Sequence, residues 1–241
     1  MDSHNIIKLT DVDSTNNYAL SLKGSKVFKQ DLVIVSDFQT KGQGQRGNSW
    51  ESEKGKNLII SLVIEPNISV KKQFDVSKIA AISVMNFLNS LGVPSKIKWP
   101  NDILVGNKKI AGILIQNVIS RDIISHSVIG IGLNVNQLIF DAYTPKATSL
   151  KLEMKKKFNL EEIQKELLSS IQNRIRAYRL GKDIEAEYLD GLFQKDKVAF
   201  FESKSQKFNG IIRGVTASGL LMVETEKSIR EFDLKEIKMV F

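Results

Sequence analysis

Residues 98–115 run Lys98-Trp99-Pro100-Asn101-Asp102-Ile103-Leu104-Val105-Gly106-Asn107-Lys108-Lys109-Ile110-Ala111-Gly112-Ile113-Leu114-Ile115. Pro100 has no backbone N–H to give a ladder, so it ends a strand over Ser95–Trp99 and leaves Asn101 and Asp102 at a turn. Gly106-Asn107 is a hairpin turn between strands over Ile103–Val105 and Lys109–Ile119. Ile123–Leu133 pairs back as a further strand.

Upstream, Ile6–Leu9 is a short apolar entry. Asp13-Ser14-Thr15-Asn16 offers several N-caps for a helix through Tyr18-Ala19-Leu20. Leu32–Val35 and Leu58–Ile64 are continuous apolar runs and read as buried strands, the second stopped by Pro66. Between them Gln39–Gly55 is polar and Gly-rich. Ala81, Val84, Met85 and Leu88 fall at helical spacing, which predicts a helix over Asp75–Leu91 ended by Gly92.

Downstream, Asn136–Phe158 reads as a mostly irregular connection. Asn159 with Glu162 forms a capping box for a long amphipathic helix through Leu160, Ile163, Leu167, Ile171, Ile175 and Tyr178, closed by Gly181. A short helix follows over Ile184–Phe193. From Lys195 the pattern changes to short strands over Val198–Phe201, Phe208–Val215, Leu220–Glu224 and Arg230–Leu234, which suits a small all-β barrel. The expected class is α+β, with domains over residues 1–193 and 194–241.

Composition narrows the chemistry. The chain has 241 residues and an ordinary globular balance, 42% hydrophobic and 26% charged. No apolar run approaches the ~18–20 residues of a membrane span. Met1-Asp2-Ser3-His4 lacks the basic and apolar regions of a signal peptide, so a cytoplasmic location is expected. Without cysteine there is no disulfide, thiolate metal site or thioester route. His4 and His126 are the only histidines and lie far apart in sequence, which argues against a His-based metal site or triad. Chemistry must rest on Lys, Arg, Asp, Glu, backbone N–H groups and a carboxylate-held Mg²⁺. The +8 charge favours anionic partners, although a lysine-rich solvated surface accounts for it equally well.

Two segments carry functional signals. Gly42-Gln43-Gly44-Gln45-Arg46-Gly47 matches G-x-G-x-x-G, but polar loop follows it where a dinucleotide fold needs a helix. The glycines let N–H groups approach an anion, Arg46 adds charge, and Trp50 offers a face for a nucleobase. The competing reading is a surface turn with Trp50 in the core. In Lys98–Asp102, Asp102 is a candidate Mg²⁺ ligand and Asn101 a candidate base contact. The competing reading there is an Asn-Asp turn with Trp99 as core filler. Ala111 and Gly112 remove bulk beside Lys109, as where a ligand comes close to a strand.

Together these segments resemble the biotin protein ligase family. The resemblance is carried by Ser14-Thr15-Asn16, Gln39 with Gly42–Trp50, Lys98–Asp102, Lys109–Leu114 and Ile129–Asn134. The ordered pair K-W-P-N-D and K-I-A-G-I-L is its specific part. The resemblance implies a mixed sheet with flanking helices related to class II aminoacyl-tRNA synthetases, and a small SH3-like C-terminal β-barrel. It implies ATP, Mg²⁺ and biotin, and formation of biotinyl-5′-AMP. Biotin then passes to a lysine of the biotin carboxyl carrier domain of a carboxylase.

It also implies roles. Lys109, Arg46 and Asp102 are the catalytic candidates. Lys109 contacts the biotin carboxyl and α-phosphate; Asp102 holds Mg²⁺ or orients the acceptor amine. Ser14, Thr15, Asn16, Gln39, Gln43, Gly44, Gln45, Lys109 and Gly112 are expected at biotin. Gly42, Gly44, Arg46, Gly47, Trp50, Lys98, Asn101 and Asn134 are expected at the nucleotide. The family loop often reads G-R-G-R-R-G, so Gln43 and Gln45 depart from it. Some members begin with a DNA-binding helix-turn-helix; here Ser14-Thr15-Asn16 lies too near Met1 for one, and a monofunctional ligase without nucleic-acid or membrane partners is expected. A homodimer remains open. The alternative is a lipoate protein ligase, although its R-R-x-S-G-G-G-like run is missing.

Overall fold

The computed structural model describes residues 5–141 and 145–241, with the Arg46 side chain and His4 outside that description. In chain order the elements are β1 (Asn5–Val12), α1 (Thr15–Ser21), β2 (Leu32–Gln39), β3 (Leu58–Ile64), β4 (Ile68–Ser69), α2 (Gln73–Ser90), β5 (Ser95–Lys98), β6 (Asp102–Val105), β7 (Lys108–Ser120) and β8 (Ile123–Leu133). Then come α3 (Leu150–Met154), α4 (Leu160–Arg179), α5 (Glu185–Gly191), β9 (Val198–Ser203), β10 (Gln206–Val215), β11 (Leu221–Glu224), β12 (Ile229–Phe232) and β13 (Lys238–Val240).

The large sheet has the order β1-β2-β3-β8-β7-β6-β5, with β4 alongside β8. β1 and β2 are parallel and the remaining pairs antiparallel, so the sheet is mixed. Strand periodicity sorts its two faces. From β2, Val33 joins the main core under α2 and α4, while Leu32 and Ile34 join a smaller cluster with Ala19 of α1. From β8, Ile129, Ile131 and Leu133 point into the main core. That leaves Val128, Gly130 and Gly132 for the other face.

α2 is buried nearly all round, because it lies between the sheet and α4. α4 buries the stripe Ile163, Leu167, Leu168, Ile171 and Ile175, each worth roughly 1.5–3 kcal/mol over exposure. Its cap is Asn159, whose side chain accepts from the Glu161 N–H at 2.9 Å.

The C-terminal strands form an antiparallel sheet in the order β12-β11-β10-β9-β13. Phe201, Phe208 and Phe232 stack along it with centroids 5.8 and 6.1 Å apart. Phe201, Ile212, Leu221 and Val223 belong to the same hydrophobic cluster as α2 and the large sheet. The apolar interior is therefore continuous across the expected boundary at residue 193. β4, α3 and β13, each five residues or fewer, were not anticipated, and the eight-residue β1 was read only as a short apolar entry over Ile6–Leu9.

Candidate active site

Three glycines make a floor on the face of the sheet opposite α2. Gly112 and Gly132 are direct cross-strand partners, and Gly130 pairs with Leu114. Asn16 lies over Gly130, where a Cβ would come within 2.4 Å of its Oδ1. Trp50 lies over Gly132, where a Cβ would come within 2.3 Å of the indole. Above this floor is a cavity of about 360 Å³, walled by the Gly42–Trp50 loop, the turn 98–102 and the C-terminal sheet.

One end is polar. Ser14 caps α1, so the turn that starts the helix presents Thr15 and Asn16 to the sheet. Thr15 N–H and Oγ1 both donate to Gln39 Oε1, at 2.8 and 2.9 Å. Ser61 Oγ lies 2.8 Å from Thr15 Oγ1 and 2.6 Å from Asn16 Oδ1, and Asn16 Nδ2 donates to Gln116 Oε1 at 2.8 Å. The network is buried, so each member's orientation is fixed by the others.

The other end is charged. Asp102 Oδ1 meets Lys109 Nζ at 2.6 Å and Asp102 Oδ2 meets Lys98 Nζ at 2.9 Å. Burial pushes the Asp102 carboxyl up, but Lys109 and Lys98 outweigh it and hold the group below its ordinary value. Two lysines and one carboxylate leave an excess positive charge in a partly desolvated place, which favours an anion. Asn101 Nδ2 donates to the Ile113 carbonyl at 2.7 Å and the Ile113 N–H returns to the Asn101 carbonyl at 3.0 Å, which fastens this turn to β7.

Asp102 was the expected Mg²⁺ ligand. Both its oxygens are engaged by ammonium groups, and among the described residues no cluster of three His, Asp or Glu side chains stands ready for a cation. Asp102 thus holds the two lysines together.

The loop closes on itself as a small hairpin. Trp50 N–H donates to Gly42 O at 2.9 Å and Gly44 N–H to Asn48 O at 2.7 Å, with a 3₁₀ turn over Gln45–Gly47 at the tip. Gly42 is required by close approach, since a Cβ would lie 2.2 Å from Trp50 O; Gly47 has φ +86°. Thus the Gly44 N–H, expected in an open anion nest, is already bonded within the loop.

Ser14, Thr15, Asn16, Gln39, Gln43, Gly44, Gln45, Trp50, Lys98, Asn101, Asp102, Lys109 and Gly112 all line this one cavity. Gly42, Gly47 and Asn134 do not. Asn134 is buried at the end of β8, where its Nδ2 donates to the Thr148 carbonyl at 3.0 Å. The expected Arg46 side-chain contact lies outside the described residues. Sequence reasoning did not name Ser61, Gly130 or Gly132 as site residues, nor the individual residues of the C-terminal wall, such as Phe193, Leu221 and Met239. The alternation Gly130-Ile131-Gly132 was a signal, because strand glycines mark close approach.

A mixed sheet carrying a buried polar end and a lysine–carboxylate end defines a site for an anionic molecule with a polar head group. The chain belongs to the biotin/lipoate A/B protein ligase family, whose model matches residues 9–134, just over half its length. It is 27% identical to the bifunctional ligase/repressor BirA of Bacillus spizizenii, over 95% of this chain and 72% of that protein. It is 31% identical to the biotin–[acetyl-CoA-carboxylase] ligase of Mycobacterium tuberculosis over 57% of this chain and 51% of that one. The biotin protein ligase of Aquifex aeolicus in complex with biotin and ATP superposes with a TM-score of 0.77 at 26% identity, covering 98% of both chains.

Proposed function

We propose that this chain is a biotin protein ligase. Biotin's carboxylate attacks the α-phosphorus of ATP, pyrophosphate leaves, and biotinyl-5′-AMP forms. The amine of a lysine on a carboxylase's biotin carboxyl carrier domain then attacks the acyl carbon and AMP leaves. The names of the relatives and of the superposed complex support this reading. The observation that carries it is the Lys98–Asp102–Lys109 group facing the Thr15–Gln39–Ser61 network across one cavity.

Each role follows from that layout. Thr15, Asn16 and Gln39, with Ser14 beside them, take the ureido ring, whose N–H and C=O groups need buried partners. The cavity beside Asn16 and Trp50, which pack on the glycine floor, takes the apolar body, with Gly112 beside Lys109. Lys109 takes the carboxylate and α-phosphate, offsetting the repulsion of two anions brought together. Asp102 sets Lys109 and Lys98 in place. Gln43, Gln45 and Arg46 close the loop over the reactants, and Trp50 and Asn101 stand toward the base. Mg²⁺ belongs with the ATP phosphates, not with Asp102 as its protein ligand. We assign residues 1–193 to catalysis, on a fold related to class II aminoacyl-tRNA synthetases, and 194–241 to an SH3-like module that completes the cavity.

Lipoate ligation is the competing reading within the family. Lipoate's dithiolane cannot satisfy Thr15, Gln39 and Ser61, and a site built for polar partners strongly rejects an analogue lacking them. The test is incubation with ATP, Mg²⁺, a carrier domain and either biotin or lipoate, read by intact mass. Transfer of biotin alone is expected; lipoate transferred as fast as biotin overturns the assignment.

A further inference from the structure

Besides walling the cavity, the C-terminal sheet is hydrogen-bonded to the turn at its charged end through Trp99. Trp99 Nε1–H donates to the Gly219 carbonyl at 2.9 Å, across 120 positions of chain. Gly219 sits at φ +100°, and a Cβ there would come within 2.6 Å of the Phe74 ring of α2. The Gly219 turn is therefore held between an indole of the turn 98–102 and a phenyl ring of the central helix.

The same strand carries the chain's exit toward the C-terminal sheet. Phe193 N–H donates to the Ile97 carbonyl at 2.8 Å, Leu192 bridges Ile97, and Lys96 Nζ reaches the Asp190 carbonyl at 2.8 Å. β5 is thus the place where the C-terminal module is fastened, and it runs directly into Lys98, Trp99, Pro100 and Asp102.

We propose that Trp99 is a positioning residue: by bonding Gly219 it lets the C-terminal sheet set the Lys98–Asp102–Lys109 group, and so the cation that meets the reacting anions. Trp99 also lines the cavity, and the role assigned to it acts through the turn that it fastens. Asp102 lies three residues on, opens β6 opposite Lys98 of β5 and Gly112 of β7, and holds both lysines, while Asn101 ties the turn before it to β7. A turn freed on its Trp99 side lets the carboxylate, and Lys109 with it, sample off-line positions. Misplacement of about 1 Å can cost on the order of 10²-fold, so a partial loosening is expected to cost less. The proposal rests on the ligase reading above.

The test uses Trp99→Phe, which keeps an aromatic ring but removes the donor and the pyrrole part of the indole, and Gly219→Ala, which keeps the carbonyl but displaces the turn. Two readouts are taken on the full chain, at a temperature where thermal melts show every variant folded. The first is biotin-dependent pyrophosphate release. Trp99→Phe is expected to lower kcat about fivefold or more with the biotin KM within about twofold, and the double variant to lose no more than the worse single, as coupled partners do. The second is the rate of Lys109 acylation by a water-soluble N-hydroxysuccinimide acetate, read by peptide mass spectrometry without substrates. It is expected to rise about threefold or more in Trp99→Phe.

A Trp99→Phe protein with wild-type kcat, with wild-type Lys109 labelling, or with losses that multiply in the double variant overturns the proposal. A lowered melting temperature with kcat unchanged assigns Trp99 to stability alone and likewise overturns it. If the wild type releases no pyrophosphate with biotin, the ligase reading fails; the labelling contrast then decides the Trp99 proposal without it.

Discussion

Two side chains concentrate the chemistry at the residue scale. Lys109→Ala removes the cation expected at the developing charge, a loss of about 3–4 kcal/mol or 10²–10³ in rate by analogy with one lost oxyanion donor. The fold is expected to survive, because Asp102 keeps Lys98 as its partner. Pyrophosphate release together with a thermal melt checks both halves; near-normal release from folded protein removes Lys109 from the role. Gln45 is the second. Its Oε1 is buried without a hydrogen-bond partner, at a place where family loops often carry arginine. Arginine gives an acyl-adenylate charge-assisted bonds roughly twice as strong as neutral ones. Gln45→Arg is expected to slow escape of biotinyl-adenylate from preloaded enzyme several-fold, and escape at the wild-type rate would show that the loop holds the intermediate by other groups. Most of the site was legible here, since Lys109, Asp102, Trp50 and Gln39 stand in polar or broken segments that a buried strand does not explain. Ser61 was not, because it lies inside the apolar run Leu58–Ile64 and looks like filler until Thr15 and Asn16 reach it.

Elements carry the second level. Long periodic segments were legible: the expected limits of β3 and β8 match the observed ones, and α2 and α4 shift by two residues or fewer at each end. Apart from β1, read only as an apolar entry, what failed was short. β4 and β13 have two and three residues, too few for period two to show, and exist because a neighbour's free edge accepts them. α3 forms because Ser149 caps it, its side chain accepting from Leu152 N–H at 3.3 Å. Between helices, Arg174 of α4 forks onto Glu187 of α5 at 2.6 and 2.5 Å, and Asn86 of α2 joins at 2.7 Å. Burial raises the Glu187 carboxyl, but Asn86 and Arg174 outweigh it and hold its pKa below the ordinary value. A depressed carboxyl stabilises the fold above its unfolded pKa of about 4.3 and loses that contribution as pH falls through the lower folded value. Melting temperature should therefore drop below about pH 4.5 less steeply in Glu187→Gln than in wild type, and at pH 7 the variant should already melt lower. Parallel curves for the two proteins would mean that this tie carries no pH-linked stability.

The whole molecule shows why a boundary read from pattern need not be a boundary in the core. The change from helical to alternating periodicity near Lys195 was visible, and the strands are there. Hydrophobic pattern reports which residues are buried, however, not against what. Phe201, Ile212, Leu221 and Val223 share one cluster with α2 and the large sheet, and Phe193 and Phe241 stack with centroids 6.0 Å apart across the junction. A chain ending at Phe193 would expose the inner faces of both partners. It would also lose the Trp99–Gly219 bond and one wall of the cavity. With each buried large apolar side chain worth roughly 1.5–3 kcal/mol, uncovering several of them rivals the ~5–15 kcal/mol by which a typical protein is stable. Truncation is therefore expected to lower the melting temperature by more than about 10 °C or to yield insoluble protein, rather than to leave an intact catalytic unit. Differential scanning calorimetry of the full chain sharpens this. One cooperative transition, with calorimetric and van't Hoff enthalpies equal, is expected of a shared core. Two separate transitions would mean that the C-terminal sheet folds independently and that its contact with α2 adds little.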